Sequence, residues 1–345
     1  MRKITLFIAL MLIYMGVMAQ GFGGNSSLPD YQSQTNIDYV GDNHIGHKLD
    51  IYFPNDEKAT HPVIIHIYGS AWASNNLKSS ADLNTVGVAA LEAGYIFVTP
   101  NHRSSADAIF PAQIQDIKAV VRYLHGNAQS LGIDTSFIAV SGFSSGAHLA
   151  ALMGVTGGIT EYTVGSVTMD IEGALGNYIN QSSAVDAVCS WSGMLELRDQ
   201  GGCSIPGSIV PFIESFIGSS LASNPDKWAL ASANTYVDAN DAPAILFHGS
   251  EDAVYPSCVS GNFYNNLRNA GVDCEYFSHN GPHGVNADYT DEMITFFDRI
   301  KAAKASATAL DNTSVDANAL KCIKDGVLLI LRDGKTYNAQ GAEVR

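Results

Sequence analysis

Between Phe137 and Met153 the chain passes from a strand-like run to a helix-like run through a turn with glycine at both ends. Phe137-Ile138-Ala139-Val140 is apolar and β-branched, the composition of a short buried strand. Ala147-His148-Leu149-Ala150-Ala151-Leu152-Met153 is a run of good helix formers. Gly142-Phe143-Ser144-Ser145-Gly146 joins the two. A turn this sharp brings strand and helix so close that its flanking positions have no room for a side chain. Its apex residue, Ser144, then projects from the carboxyl end of the strand, near the positive end of the following helix. In a chain with 32 glycines the spacing G-x-S-x-G can arise by accident. The strand on one side and the helix on the other give it weight.

The flanking sequence repeats the same alternation. Ile37–Val40 and Lys48–Phe53 read as two strands at a sheet edge, and Pro62–Tyr68 as a buried central strand. A helix is expected around Ser80–Ala93, a strand at Tyr95–Pro100, and an amphipathic helix over Pro111–Leu131. In that helix Ile114, Ile117, Val120, Val121 and Leu124 recur at helical spacing. Ala184–Trp191, Ala244–His248 and Cys274–His279 are further strands, with helices at Tyr264–Ala270 and Tyr289–Ala303. Such alternation predicts an α/β protein, with a mostly parallel central sheet of about eight strands and helices on both faces. Two stretches break the rhythm, 156–183 and 192–235. Both follow strand ends on the Ser144 side, so both are expected to wall a pocket.

The termini differ in character from this body. Arg2 and Lys3, the apolar run Ile4 to Met18 and the small-residue site ending at Ala19 read as a secretory signal over residues 1–19. The alternative is a membrane anchor, but the run is shorter than the roughly 20 residues that span a bilayer. No Cys follows the site to take a lipid. The protein is therefore expected to be secreted, with no membrane span after cleavage. Residues from 20 to about 36 read as a loose leader, and 20–304 as the main domain. Ala305–Ala319 reads as a linker, and Gly326–Asn338 as a short hairpin around Asp333-Gly334, so 305–345 is expected to be a tail. The formal charge of −15 repels nucleic acid and anionic membranes.

A serine nucleophile needs a base, and the base needs an orienting carboxylate. The acid is expected just past a late strand. Asp252, in Gly249-Ser250-Glu251-Asp252 after the strand at 244–248, fits best. Glu251 and Glu196 are its rivals, and an ordinary turn aspartate is the bland alternative. The base is expected one strand and one helix later, where Ser278-His279-Asn280-Gly281-Pro282-His283-Gly284 offers two histidines. His283, on the flexible turn, is the expected base, and His279, nearer the strand, the structural one. An oxyanion hole needs two backbone N–H groups. The Ser145 N–H is one. The loop Tyr68-Gly69-Ser70-Ala71-Trp72 supplies the other, through Ser70 or Ala71, and places Trp72 at the substrate pocket. Neither a cofactor nor a metal is required, and none of the five cysteines shows C-x-x-C spacing.

With these residues placed, residues 37–303 resemble the secreted carbohydrate-esterase branch of the α/β-hydrolases, the bacterial feruloyl and acetylxylan esterases close to the hormone-sensitive-lipase group. Tyr68-Gly69-Ser70-Ala71-Trp72 stands where that family has H-G-G-G/A-W. His102-Arg103, Phe110-Pro111-Ala112, Asp116, Glu172–Gly176 and Ser182-Ser183 also resemble it. The C-terminal hairpin resembles the final strands of sorting tails on secreted Bacteroidota proteins. The resemblance implies acetyl or feruloyl esters on plant xylan as substrates. A peptidase of the same fold, a general short-chain carboxylesterase, and a carbohydrate-binding relative without catalysis are the alternatives. The first usually carries a large propeller domain for which no room exists here. The last would lack a triad member.

Among Cys189, Cys203, Cys258, Cys274 and Cys322, the pair Cys203–Cys258 is expected to be a disulfide. Both are expected in loops at the carboxyl edge of the sheet, in an oxidising compartment. Cys274 begins a strand at the opposite edge, beyond the ~7 Å reach of such a bond. Cys189, inside a strand, is expected to be a buried thiol.

Overall fold

The structure, a computed structural model, describes residue 28, residues 30–312 and, beyond them, 319–324, 327–332, 335–338 and 342–344. The expected signal at 1–19 lies outside the described residues. Eight strands form the central sheet: β1 (Gln32–Asp38), β2 (Lys48–Phe53), β3 (His61–Ile67), β4 (Ile96–Pro100), β5 (Ile133–Phe143), β8 (Ala187–Trp191), β9 (Ala244–Gly249) and β10 (Cys274–His279). Between β5 and β8, a small hairpin of β6 (Glu161–Val164) and β7 (Val167–Asp170) lies within the stretch 156–183. The sheet order is β1-β2-β4-β3-β5-β8-β9-β10. The β1–β2 and β2–β4 pairs are antiparallel, and all the others are parallel.

Side chains alternate between the two faces of each strand, so a sheet covered on both sides builds two cores. Val63, Ile65, Val98, Val140, Val188 and Leu246 meet the helices Ala112–Gly126 and Ser145–Val155 on one face. Ile64, Phe97, Ala139, Cys189, Ile245 and Phe247 face the short helix Val88–Glu92 and Met293, Phe296 and Phe297 on the other. Cys189 is a buried free thiol.

Three local expectations change. Gln32–Thr35, read as leader, is the exposed start of β1: backbone pairing to β2 holds these polar residues in a strand that needs no apolar face. The helix around 80–93 is broken into a 3-10 turn at Lys78–Ser80, a π-helical turn at Leu83–Gly87 and the short helix Val88–Glu92. Asp82 interrupts it in a left-handed conformation, with its carboxylate held by His66 at 3.1 Å. The final helix runs from Thr290 to Asn312, through the first part of the expected linker, because the alanines at 302, 303, 305 and 307 are strong helix formers.

A second compact unit begins at Lys301. Its strands β11 (Ala319–Lys324), β12 (Val327–Arg332), β13 (Lys335–Asn338) and β14 (Glu343–Val344) form an antiparallel sheet. The β12–β13 register pairs Arg332 with Lys335, so the hairpin reading is matched in its strands, while Asp333-Gly334 lies outside the described residues.

Cys203 and Cys258 are joined with their Cα atoms 6.0 Å apart. Cys258 opens the helix Cys258–Ala270 instead of lying in a loop. The bond ties the stretch 192–235 to that helix across 55 residues of chain. Loop-closure entropy for such a span predicts that Cys203→Ser with Cys258→Ser lowers stability by about 4 kcal/mol. Calorimetry of the double variant checks this, and an unchanged Tm would show the bond to be idle.

Candidate active site

The turn at Ser144 is built by exclusion. A Cβ on Gly142 would lie 2.3 Å from the Gly146 carbonyl oxygen, and one on Gly146 would lie 2.1 Å from that of Ile67. Gly69 on the opposing loop is also crowded: its Cβ would meet that of Ser144 at 2.7 Å. Ser144 itself has φ 56° and ψ −119°, a conformation that a non-glycine residue holds only when its surroundings force it. The Ser144 N–H donates to the Trp191 carbonyl at 2.9 Å and fixes the turn against β8.

Chain order along the sheet edge then brings the partners in. The Ser144 Oγ lies 2.9 Å from His283 Nε2, and His283 Nδ1 lies 2.7 Å from Asp252 Oδ2. The His283 loop is seated on the acid loop by backbone bonds, Ser250 N–H to the His279 carbonyl at 2.8 Å and Glu251 N–H to that of Gly281 at 3.0 Å. Gly249 permits this approach, since a Cβ there would lie 2.2 Å from the Gly281 oxygen. The Phe143 ring lies 4.9 Å from the His283 ring, centroid to centroid, and supports the imidazole from the side.

The Asp252 side chain is fully buried, and burial opposes its ionisation. Hydrogen bonds from His248 and His283, the charge of His283 and the backbone N–H of Tyr255 outweigh that cost, and its pKa lies well below the ordinary carboxylate range. The rivals are placed elsewhere. Glu251 is exposed. Glu196 is buried and paired with Arg198 at 2.7 Å. His279 stacks on Tyr289, and its Nδ1 lies 3.3 Å from the Asn280 oxygen.

In the loop Tyr68–Trp72 the two candidate N–H groups, of Ser70 and Ala71, differ. The Ser70 N–H donates to Ser145 Oγ at 2.9 Å, which clamps the loop to the helix start. The Ala71 N–H has no hydrogen-bond partner among the described residues, and Ala71 sits at φ 50°. Ala71 and Ser145 are thus the positions whose N–H groups remain open.

Trp72 differs from expectation. It is fully buried and offers no surface to a pocket. Its ring stacks on Phe216 at 4.2 Å, and its indole N–H donates to His148 Nδ1 at 3.3 Å. Burial lowers the His148 pKa to about 4, so this imidazole is neutral and its Nε2–H donates to the Ala231 carbonyl at 2.7 Å. Trp72 anchors the loop Tyr68–Trp72 to the helix Val210–Ile217, an apolar function that a loop tryptophan's sequence does not distinguish from a pocket wall.

The other residues of the sequence resemblance hold loops. Asp116 is buried and receives a two-pronged bond from Arg103, at 2.9 Å from Nε and 2.6 Å from Nη2. Glu172 binds Lys118 at 3.0 Å, Ser183 at 2.7 Å, and Arg122, tying the stretch 156–183 to the helix Ala112–Gly126.

Comparison with known proteins agrees with this architecture. The profile of the BD-FAE family matches residues 49–267. A solved structure described as a truncated form of a carbohydrate esterase from gut microbiota is 40% identical, with a TM-score of 0.77 over 81% of this chain and 100% of that one. A bifunctional GH43-CE protein of Bacteroides eggerthii is 42% identical, with a TM-score of 0.74 over 78% of this chain but 35% of that one. Esterase LipQ of Mycobacterium tuberculosis is 30% identical over 212 residues, 61% of this chain and 47% of LipQ, so the chain spans about half the length of that curated relative. On the family profile and the relative matched over its full length, the chain has the α/β-hydrolase fold and belongs to the BD-FAE family.

Proposed function

We propose that the protein is an exported serine carboxylesterase that removes acetyl or feruloyl groups from plant xylan. The observation that carries this reading is the hydrogen-bonded row Ser144–His283–Asp252, at 2.9 and 2.7 Å, beside two open backbone N–H positions. The Ser144 Oγ attacks the ester carbonyl while His283 Nε2 takes its proton. The N–H groups of Ala71 and Ser145 receive the negative oxygen of the tetrahedral intermediate. Asp252 holds the imidazole by Nδ1–H and balances its positive charge. His283 returns the proton to the leaving alcohol, which departs and leaves an acyl group on Ser144. A water molecule, deprotonated by His283, attacks that ester. Collapse of the second intermediate frees the acid and restores Ser144.

The carbohydrate-esterase descriptions of the two relatives that are 40% and 42% identical support the substrate class. The N-terminal residues 1–19 and the Cys203–Cys258 bond favour an oxidising compartment outside the cytoplasm. Likeness to Esterase LipQ favours a second reading, a general short-chain carboxylesterase.

Hydrolysis of p-nitrophenyl acetate, methyl ferulate, acetylated xylan and a long-chain triglyceride, each with and without a serine-directed phosphonate, separates these. Release from methyl ferulate or acetylated xylan, abolished by the phosphonate, is the expected result. Turnover of p-nitrophenyl acetate alone would favour the general esterase. Activity confined to the triglyceride would keep the triad and overturn the carbohydrate substrate.

A further inference from the structure

His248 is the penultimate residue of β9, its ring is fully buried, and the mechanism above makes no use of it. Its Nε2 lies 3.0 Å from Asp252 Oδ2 and 3.0 Å from the Tyr255 carbonyl oxygen. Both neighbours only accept hydrogen bonds at ordinary pH, so Nε2 carries a proton and donates. Nδ1 lies 2.8 Å from Ser260 Oγ, on the helix Cys258–Ala270. A hydroxyl can donate to this nitrogen and so keeps the proton on the other.

Asp252 is consequently saturated. Oδ1 accepts from the N–H groups of Val254 at 2.8 Å and Tyr255 at 2.9 Å. Oδ2 accepts from two imidazoles, His283 at 2.7 Å and His248 at 3.0 Å. Without His248, Oδ2 would accept from His283 alone, while Oδ1 would keep both of its N–H donors. The fourth donor braces Oδ2 and so holds the lone pair that faces His283. It also draws charge away from Oδ2, and that charge otherwise stabilises the imidazolium.

We propose that His248 is a positioning residue of the active site: it aims Asp252 Oδ2 at His283, and Ser260 selects the ring nitrogen that does so. The proposal rests on the triad reading. The titratable groups facing this unit are Asp252 and His283; Tyr255 faces it through its backbone carbonyl, with its phenol, Glu196 and Asp199 beyond. His283 already donates to Oδ2, and none of the others donates there in place of His248.

Full-length His248→Phe, His248→Gln and Ser260→Ala test this on p-nitrophenyl acetate. Phenylalanine fills the space and removes the donor. It is expected to lower kcat roughly 30-fold with KM little changed. Removing a donor from Asp252 leaves more charge to stabilise the imidazolium, so the base stays protonated to higher pH. The acid limb of the kcat/KM profile should therefore move to higher pH by at least about half a unit. Glutamine carries an N–H donor near the same point and should restore kcat to within about threefold, with the limb near its original place. Ser260→Ala, whose new residue suits a helix, remains informative if the phenylalanine variant fails to fold. It should move the acid limb the same way, by less. A His248→Phe protein with kcat within threefold and an unmoved profile overturns the proposal. So do phenylalanine and glutamine variants equally slowed with unmoved profiles, or, if only Ser260→Ala folds, an unmoved limb in that variant. Full activity in Ser144→Ala would instead remove the triad reading itself.

Discussion

Ser144→Ala and His283→Ala are each expected to lower kcat for ester hydrolysis by roughly 10⁴-fold or more. A hydroxyl is a weak nucleophile until a base takes its proton, and His283 Nε2, 2.9 Å away, is the group placed to do so. Losing either partner leaves only the residual rate that substrate binding and the oxyanion donors provide. Asp252→Ala should cost less than either, because the imidazole can still reach Ser144 but is poorly held. Glu251→Gln and His279→Ala should stay within about tenfold of the parent, since neither touches the row. Ser144 is buried but fills no core, so the Ser144→Ala protein should fold normally by circular dichroism. Steady-state kinetics on p-nitrophenyl acetate decides the matter, and an active, correctly folded Ser144→Ala enzyme would end the serine mechanism.

Gly146→Ala is expected to be the most damaging single methyl in the protein. Its Cβ would lie 2.1 Å from the Ile67 oxygen and 2.5 Å from the Tyr68 oxygen, both backbone atoms at the end of β3. Neither can rotate aside, so the helix Ser145–Val155 must lift from the sheet, carrying the Ser145 N–H with it. The expected loss is roughly 5 kcal/mol, at the severe end of single substitutions, together with the activity of whatever folds. Gly207→Ala is the control: its Cβ would meet nothing within 4 Å, and it should change stability by less than about 0.5 kcal/mol. Chemical denaturation of the two variants measures the contrast directly. Equal midpoints would mean that strand and helix do not approach as closely as described.

The two variants separate what each level of structure contributes. The elbow was legible in the sequence because its cause is local. A β-branched run must extend, a run of alanine and leucine coils, and a turn of two glycines is what joins them at close range. Lys48–Phe53 and Cys274–His279 were legible for the same reason, and their limits coincide with β2 and β10. Chain order along a parallel sheet also made Asp252 and His283 the expected neighbours of Ser144, since each strand delivers its following loop to the same edge.

What the sequence by itself determined about this protein is therefore the periodic elements, their alternation and the residues at the loop tips. Tertiary structure alone decided how those tips are held. Nothing in Tyr68–Trp72 says that the Ser70 N–H is taken by Ser145 Oγ, 75 residues away, leaving Ala71 open. Nothing in Trp72 distinguishes a pocket wall from a ring stacked on Phe216. His248 reads as one apolar-strand histidine among ten in the chain until its ring is found against Asp252 and Ser260. The helix expected at 80–93 broke because the Asp82 carboxylate met His66 on β3. Secondary structure follows from a residue's chain neighbours, whereas hydrogen-bond partners and burial depend on which distant atoms the packed sheet brings within about 3 Å, and no local pattern encodes that distance.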